Sequence, residues 1–227
     1  MNNYAILNKQ DPPAIFAALL PLLALLPLGP GCSPDLRDSK TFEDVVSKAS
    51  SIEKLTRKRM YGMIMLFVDA DQKPFTGWVK ATGDGGDLET LGRLEDGQRQ
   101  GLWMNWHENG AKASEIEWKN DVMEGSFEEW YPDGKPKTVG QTLNGEVDGE
   151  WKTYYPGGLI EQVSFSREGK LVRMQVWKPN GAVCPESGVE EGNGTYSEYE
   201  SDGYLRRRMI FREGVRVLAV RRSAPPG

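Results

Sequence analysis

The sequence predicts an all-β protein in which tandem β-hairpins form an elongated, open, single-layer antiparallel sheet, preceded by a short N-terminal helix. Two observations lead to this fold class. Glycines recur every 24 residues at Gly101, Gly125 and Gly149, and the segments that follow them share one pattern of aromatic and turn residues. A fixed period in this range indicates a repeat architecture, in which each unit is stabilised by packing on its neighbours.

Each unit contains a tight-turn motif that ends nine residues after its opening glycine. In the segments YPDG and KPNG, proline presets φ for the first turn position, Asp or Asn tolerates the next, and glycine supplies the positive φ that leads into the following strand. Each unit is therefore predicted to be a β-hairpin. The predicted turn glycines are Gly86, Gly110, Gly134, Gly158, Gly181 and Gly203.

The same spacing extends to both sides of these three units. Upstream, the segment PFTGW at Pro74 to Trp78 leads into the array, and the apolar run at residues 59–68 is predicted to be the first strand. Downstream, a fifth unit is shortened, with Arg173 in place of its opening glycine. About six units are predicted over residues 59–217, followed by a disordered tail at 218–227.

Alternation along each strand before a turn places two aromatic rows on opposite faces of the sheet. Stacked hairpins would turn these rows into ladders, which either cover the sheet as structural packing or form an exposed binding platform. The candidate binding residues are Trp103, Phe127 and Trp151 with His107, Tyr131 and Tyr155 on one face, and Trp106, Trp130 and Tyr154 on the other.

The repeated pattern, for example GLWMNWHENG and GSFEEWYPDG, resembles the MORN-type repeat in the bacterial variant found in the YwqK family of antitoxin-like proteins. The resemblance covers roughly residues 60–217. It implies a run of β-hairpins in an extended antiparallel sheet and no catalytic residues, because the motif residues are structural. An antitoxin or immunity role is implied by this resemblance alone.

Residues 1–31 differ in composition from the rest of the chain. The apolar run at residues 14–29 is too short for a membrane span and is interrupted by prolines, so a secretory signal is predicted instead. The run ends at Gly31-Cys32, which resembles a bacterial lipoprotein signal, although Leu28 stands four rather than three places before the cysteine. We expect an exported protein with a lipid on Cys32 that anchors it to a membrane of the cell envelope; soluble secretion is the alternative.

A polar linker with a short helix is predicted over residues 32–58. Phe42, Val45, Val46, Ala49 and Ile52 fall near helical spacing, and Thr41 is the predicted N-cap.

Composition is that of a soluble protein, with 38% hydrophobic and 27% charged residues and a net charge of −5. The charge is uneven, because residues 84–202 hold 24 acidic and 11 basic residues whereas residues 203–227 hold seven arginines and one glutamate. This field disfavours binding to nucleic acid and could steer a basic partner to the acidic units.

Residues with catalytic potential are scarce. The only histidine, His107, occupies a position that is tyrosine in the next two units, and Cys184 is the only thiol besides Cys32. No zinc-ligand spacing or phosphate-binding loop is present, so the sequence predicts no metal, no cofactor and no enzyme. The leading hypothesis is a protein-binding surface; a glycan- or peptidoglycan-binding module is the alternative, with a hydrolase third. Neither the partner nor the oligomeric state follows from the sequence.

Overall fold

The computed structural model describes residues 34–60, 64–200 and 202–221, so the predicted signal segment, Cys32 and residues 222–227 lie outside the described residues. The described chain contains one α-helix, α1 (Ser39–Lys48), and a 3-10 turn at Ile52–Lys54. The strands are β1 (Ser50–Ser51), β2 (Thr56–Met60), β3 (Ile64–Val68), β4 (Gly77–Thr82), β5 (Leu88–Glu95), β6 (Gln98–Trp106), β7 (Lys112–Lys119), β8 (Val122–Trp130), β9 (Pro136–Leu143), β10 (Glu146–Val147), β11 (Gly149–Tyr154), β12 (Ile160–Arg167), β13 (Lys170–Trp177), β14 (Val183–Glu190), β15 (Asn193–Tyr199), β16 (Leu205–Arg212) and β17 (Val215–Arg221).

Fifteen of these strands form one sheet in which neighbours in sequence are neighbours in space. From β4 to β17 the order follows the chain, apart from β10, which pairs beside β9, and all of these pairings are antiparallel. β1 pairs with β4 in parallel at one end of the sheet, and β2 and β3 form a separate two-stranded sheet. The predicted fold class, an open antiparallel sheet of hairpins with one short helix, is confirmed.

Turns at one edge of the sheet follow the YPDG pattern. The backbone N–H of the turn glycine donates to the carbonyl three residues earlier, as from Gly134 to Tyr131 at 2.8 Å and from Gly158 to Tyr155 at 2.7 Å. The six glycines of this kind have φ between +78° and +89°, a conformation that costs glycine little and other residues more. They are the six turn glycines named in the sequence analysis.

Turns at the opposite edge contain two residues that both have positive φ, which is the type I′ hairpin turn. Asn144 and Gly145 have φ of +52° and +84°, and Glu168 and Gly169 have +51° and +72°. Asp121 takes the glycine position in the first complete unit with φ +65°. The type I′ twist matches the twist of the flanking strands, so each pair of strands stays in register across this edge.

Helix α1 begins one turn earlier than predicted. Asp38 is its N-cap, and the Asp38 Oδ2 atom accepts the backbone N–H of Thr41 at 2.7 Å, so Thr41 lies inside the first turn and the predicted Thr41 cap is wrong. Aspartate can cap a helix start as well as threonine can, because its carboxylate satisfies a free N–H. Phe42, Val45 and Ala49 face the sheet and pack against Leu91 and Met104.

The prediction of one strand at residues 59–68 is wrong, because this region divides into the hairpin β2–β3. The hairpin packs on the large sheet through Phe67, which joins Val79, Leu94 and Trp103 in one apolar cluster. Arg57 on β2 reaches the carboxylate of Asp121, with 3.7 Å between Nη2 and Oδ2. The run of apolar residues did not reveal where the chain reverses.

Three-way sets of backbone hydrogen bonds join neighbouring segments at both ends of the sheet. At the first end, Phe75 N–H donates to Phe67, Gly97 N–H to Phe75, and Phe67 N–H to Gly97, at 2.8–3.0 Å. At the other end, Gly192 N–H donates to Val172, Gly214 N–H to Gly192, and Leu171 N–H to Gly214, at 2.8–3.1 Å. The last strand, β17, continues to Arg221, so the predicted end of the array at residue 217 falls within this strand.

Gly92 is expected to be intolerant of any side chain. A Cβ atom at Gly92 would lie 2.2 Å from Cδ2 of Trp103, whose side chain is buried and cannot move aside. We expect Gly92→Ala to lower the free energy of unfolding by about 1–3 kcal/mol, because overpacking forces neighbours off their preferred positions. The measurement is urea denaturation followed by circular dichroism.

Gly157→Ala is the matched control, since a Cβ atom there would meet nothing within 4 Å. It should change the free energy of unfolding by less than about 0.5 kcal/mol. Equal effects of the two substitutions would contradict the packing of Trp103 on Gly92.

Candidate binding face of the repeat sheet

The two faces of the large sheet are covered by different elements, one by helix α1 and the other by the β2–β3 hairpin. We call the face that contacts α1 the helix face; it includes Leu91, Met104 and Trp106. We call the opposite face, which contacts the β2–β3 hairpin, the hairpin face; it includes Val79, Leu94 and Trp103. Strand register assigns the other candidate residues to one of these two faces.

Trp103, Phe127 and Trp151 lie on the hairpin face and pack within the sheet. The Trp103 side chain is 6% exposed, and its Nε1 donates to the Arg93 carbonyl at 3.1 Å. The rings of Phe127 and Trp151 have centroids 4.8 Å apart. Trp151 also lies against Gly140, where a Cβ atom would come within 2.2 Å of the ring. Trp103 and Trp151 fill recesses left by glycines on neighbouring strands and Phe127 packs on Trp151, so the three rings serve as packing.

His107, Tyr131 and Tyr155 join each unit to the next through side-chain hydrogen bonds. Tyr131 donates its hydroxyl to the Tyr154 carbonyl at 2.7 Å, and Tyr155 donates to the Trp177 carbonyl at 2.9 Å. The His107 Nε2 atom lies 2.9 Å from the Trp130 carbonyl. Because a carbonyl only accepts, Nε2 must carry the proton there. These residues link repeats, and the histidine takes the same role as the tyrosines.

Trp106, Trp130 and Tyr154 lie on the helix face, but only the first is covered. The Trp106 ring makes an edge contact with Phe42 of α1, with centroids 6.0 Å apart. Trp130 and Tyr154 are half-buried and belong to none of the apolar clusters formed by the described residues. The Lys112 ammonium lies 5.7 Å from the centroid of the Trp130 ring. The aromatic row thus continues beyond the end of the helix as a surface that none of the described apolar clusters covers.

A shallow cavity of about 290 Å³ lies on the same face and is lined by Glu150, Phe165, Arg173 and Trp177. The Arg173 guanidinium lies 5.5 Å from the ring centroid of Phe165, and Trp177 extends the aromatic row by one more unit. The repeat pattern predicts an aromatic residue at Trp177, because an aromatic residue stands four places before each turn glycine and Gly181 is one of these glycines. The pattern does not predict Phe165 or Arg173 as part of this surface. We call Trp130, Tyr154, Trp177 and this cavity the open groove.

Acidic side chains surround the open groove. Glu115 and Glu128 occupy directly opposite positions on β7 and β8, and strand register places both on the helix face. Glu150 shares this face and is paired with Lys152, with 2.6 Å between Oε1 and Nζ, and Glu115 is paired with Lys112. Glu128 forms no ion pair with the other described residues, and like charges placed directly opposite each other destabilise a strand pair, so the position of Glu128 favours a partner that brings positive charge.

A polar cluster lies where β12 approaches β15. The Tyr196 hydroxyl donates to Glu161 Oε1 at 3.2 Å, and Thr153 donates to Glu161 Oε2 at 3.1 Å. Burial raises the pKa of Glu161, although these two hydrogen bonds oppose the shift. Burial, together with the nearby Glu161 charge, also raises the pKa of Tyr155 and Tyr196 well above the usual range of tyrosine.

The remaining candidate chemistry is limited. The Cys184 thiol is buried, 3.1 Å from the Tyr199 hydroxyl, and burial with this hydrogen bond raises the pKa of Tyr199 to about 12. Within the described ranges, no group of three or more His, Cys, Asp or Glu side chains is arranged to hold a metal ion. No described helix has both the length and the apolar character needed to cross a membrane.

Three consecutive hairpins match the family model described as MORN repeat variant, at residues 99–120, 123–144 and 147–167. These three units are similar to MORN repeats. Each matched segment corresponds to one hairpin, β6–β7, β8–β9 and β11–β12. The three matched units carry Trp106, Trp130 and Tyr154 at equivalent positions, and the flanking hairpins continue their geometry outside the matched residues. No curated protein matches the chain.

Glu161 is expected to give the protein a stability that falls as pH rises. Its folded-state pKa lies above its ordinary value of 4.5, so between these two values the folded state binds more protons than the unfolded state. The contribution of Glu161 to the free energy of unfolding is therefore fully present below pH 4.5 and is lost as pH rises through the folded-state pKa. We expect Glu161→Gln to gain stability relative to the native chain over this window.

The measurement is urea denaturation of both chains at a series of pH values from acid to neutral. Glu95→Gln, at an exposed position, is the matched control. A stability difference between native and Glu161→Gln that is independent of pH, or that reverses in sign, would contradict the assignment.

Proposed function

We propose that this protein is a non-catalytic lipoprotein of the cell envelope whose MORN repeats bind another protein through the open groove. The observation that carries the proposal is the partial covering of the helix face. The chain's own amphipathic helix α1 packs on Trp106 through Phe42, while no described helix packs on the equivalent Trp130 and Tyr154 of the next two units. Half-buried aromatic rings in an uncovered row are typical of binding surfaces.

Charge supports a protein partner with a basic surface. Glu115, Glu128 and Glu150 lie around the groove, and residues 84–202 carry 24 acidic against 11 basic residues. A basic partner would be attracted at long range and would neutralise Glu128, which lies directly opposite the Lys112-paired Glu115. The affinity itself would come from the aromatic rings, as at other interface hot spots.

The resemblance to YwqK-type proteins supports an antitoxin-like or immunity role. A chain anchored through Cys32 would encounter a toxin that acts in the envelope rather than one in the cytosol. In this role the repeats need no catalytic group, because the toxin is neutralised when the open groove binds its surface and covers it. The protein partner would bind without any metal or cofactor.

The groove is tested by replacing aromatic pairs on each face. We expect Trp130→Ser with Tyr154→Ser to keep the folded structure, measured by circular dichroism, and to lose the partner captured in cells by a photo-crosslinking residue at position 165. The matched control, Phe127→Ser with Trp151→Ser, removes rings whose centroids pack 4.8 Å apart and should destabilise the sheet.

Unfolding of both double variants would assign the helix-face rings to packing and overturn the groove. Retained crosslinking by a folded Trp130→Ser, Tyr154→Ser variant would place the binding surface elsewhere. Sedimentation of the purified protein with peptidoglycan, lost only in that variant, would favour a glycan ligand over a protein.

Lipidation is tested separately from partner binding. We expect Cys32→Ala to lose incorporation of an alkyne-labelled fatty acid, because the Cys32 thiol is the proposed acceptor, and to accumulate a precursor of altered size. Cys184→Ala is the matched control and should keep its label, since the Cys184 side chain is 1% exposed. Equal labelling of the native chain and Cys32→Ala would contradict a lipid on Cys32.

A further inference from the structure

The outermost strands at the two ends of the large sheet differ in what covers their outer edges. At the first end, the outer edge of β4 is covered by β1, which pairs Ser50 with Val79 and Ser51 with Lys80. At the other end, β17 pairs with β16 and is the last strand in the order. Along the described chain, its outer backbone N–H and C=O groups therefore face no further strand. Such an edge is a template for another strand.

β17 has two charged residues, Arg216 and Arg221, but otherwise lacks the usual protection of an edge strand. It is seven residues long, against two for β1, and contains neither lysine nor proline. Val215, Val217 and Leu218 are 53%, 52% and 50% exposed. Natural edges are usually short or interrupted by such residues, because an apolar edge strand joins other strands. The length and exposure of β17 together indicate an edge that is covered by a further strand.

We propose that β17 pairs with β17 of a second copy of this chain in an antiparallel, two-fold arrangement. Full overlap of the seven residues places Leu218 opposite itself, at the two-fold axis. In this register Arg216 lies opposite Val220 and Val215 lies opposite Arg221, so each arginine of the strand faces a valine. No like-charged residues are directly opposed, and the exposed apolar side chains are covered by the second copy.

Ion pairs within the chain already engage part of the positive charge near this edge. Three arginines of β16 already have carboxylate partners within the chain: Arg206 Nη1 lies 2.8 Å from Glu198 Oε1, Arg207 contacts Glu198, and Arg208 Nη2 lies 3.2 Å from Glu186 Oε2. These three arginines therefore have carboxylate partners before another strand arrives, and the self-complementary register of β17 favours a second copy as that strand. Pairing through one strand buries less area than most stable interfaces, so the dimer is expected to be weak.

A cysteine at the two-fold axis tests the register directly. In the full chain with Cys32→Ser, we expect Leu218→Cys to form a disulfide-linked dimer when an oxidant such as diamide is added. The matched control is Val183→Cys, which has a comparable exposure of 53% for the native side chain but lies on the inner strand β14. Mass spectrometry of the linked peptides identifies residue 218 joined to residue 218.

A charge at the same position tests association without a covalent link. Leu218→Lys places two like charges opposite each other at the axis and should weaken dimerisation by about tenfold, measured by sedimentation equilibrium in detergent. Val183→Lys is its control and should dimerise like the native chain. Circular dichroism checks that both variants fold.

Salt distinguishes the two kinds of partner. Two arginine-rich hairpins repel weakly, so dimerisation should strengthen with added sodium chloride, whereas an acidic segment would bind less tightly. The proposal is overturned by a Leu218→Cys chain that links no more than the Val183→Cys control, by a folded Leu218→Lys chain that dimerises normally, or by a dimer that salt dissociates. It does not depend on the open groove, because β17 contributes no residue to it.

Discussion

A backbone with positive φ at each turn is the constraint on which the repeat array depends. The chain reverses by two kinds of tight turn, one ending in a glycine such as Gly134 and one with two successive positive-φ residues such as Asn144 and Gly145. Since both turns have a set length, the strands between them keep equivalent register in the three matched units. The recurrence of φ near +80° at Gly110, Gly134 and Gly158 lets equivalent side chains meet across the sheet.

Constant register separates the aromatic side chains into two functional groups. On the hairpin face, Trp103 and Trp151 pack on the glycines of a neighbouring strand, and Tyr131 and Tyr155 bond to the carbonyls of the next unit. These interactions use the rings and hydroxyls within the sheet. On the helix face, the row that begins beneath α1 at Trp106 continues as the open groove. One repeated pattern thus supplies both a scaffold and a surface.

At a few places along the array, individual side-chain contacts replace the repeated ones. Asp121 replaces a turn glycine, and its carboxylate accepts a 2.7 Å hydrogen bond from Arg99 Nε while lying 3.7 Å from Arg57. The Arg99 guanidinium in turn lies 3.4 Å from the centroid of the Trp118 ring. These contacts hold the β2–β3 hairpin on the first units. The polar cluster around Glu161 is another local feature, since only one unit has this glutamate beside Tyr196.

The sequence by itself determined the fold class, the hairpin units and their glycine turns, because period and turn chemistry are local properties of the chain. It also separated Trp103 from Trp106 by simple alternation. It did not reveal that residues 59–68 divide between two strands, that Asp38 caps α1, or that β17 continues to Arg221. Tertiary structure alone decided how much of the helix-face aromatic row is covered. Helix α1 is not part of the repeat, and its position over Trp106 depends on contacts between segments far apart in the chain.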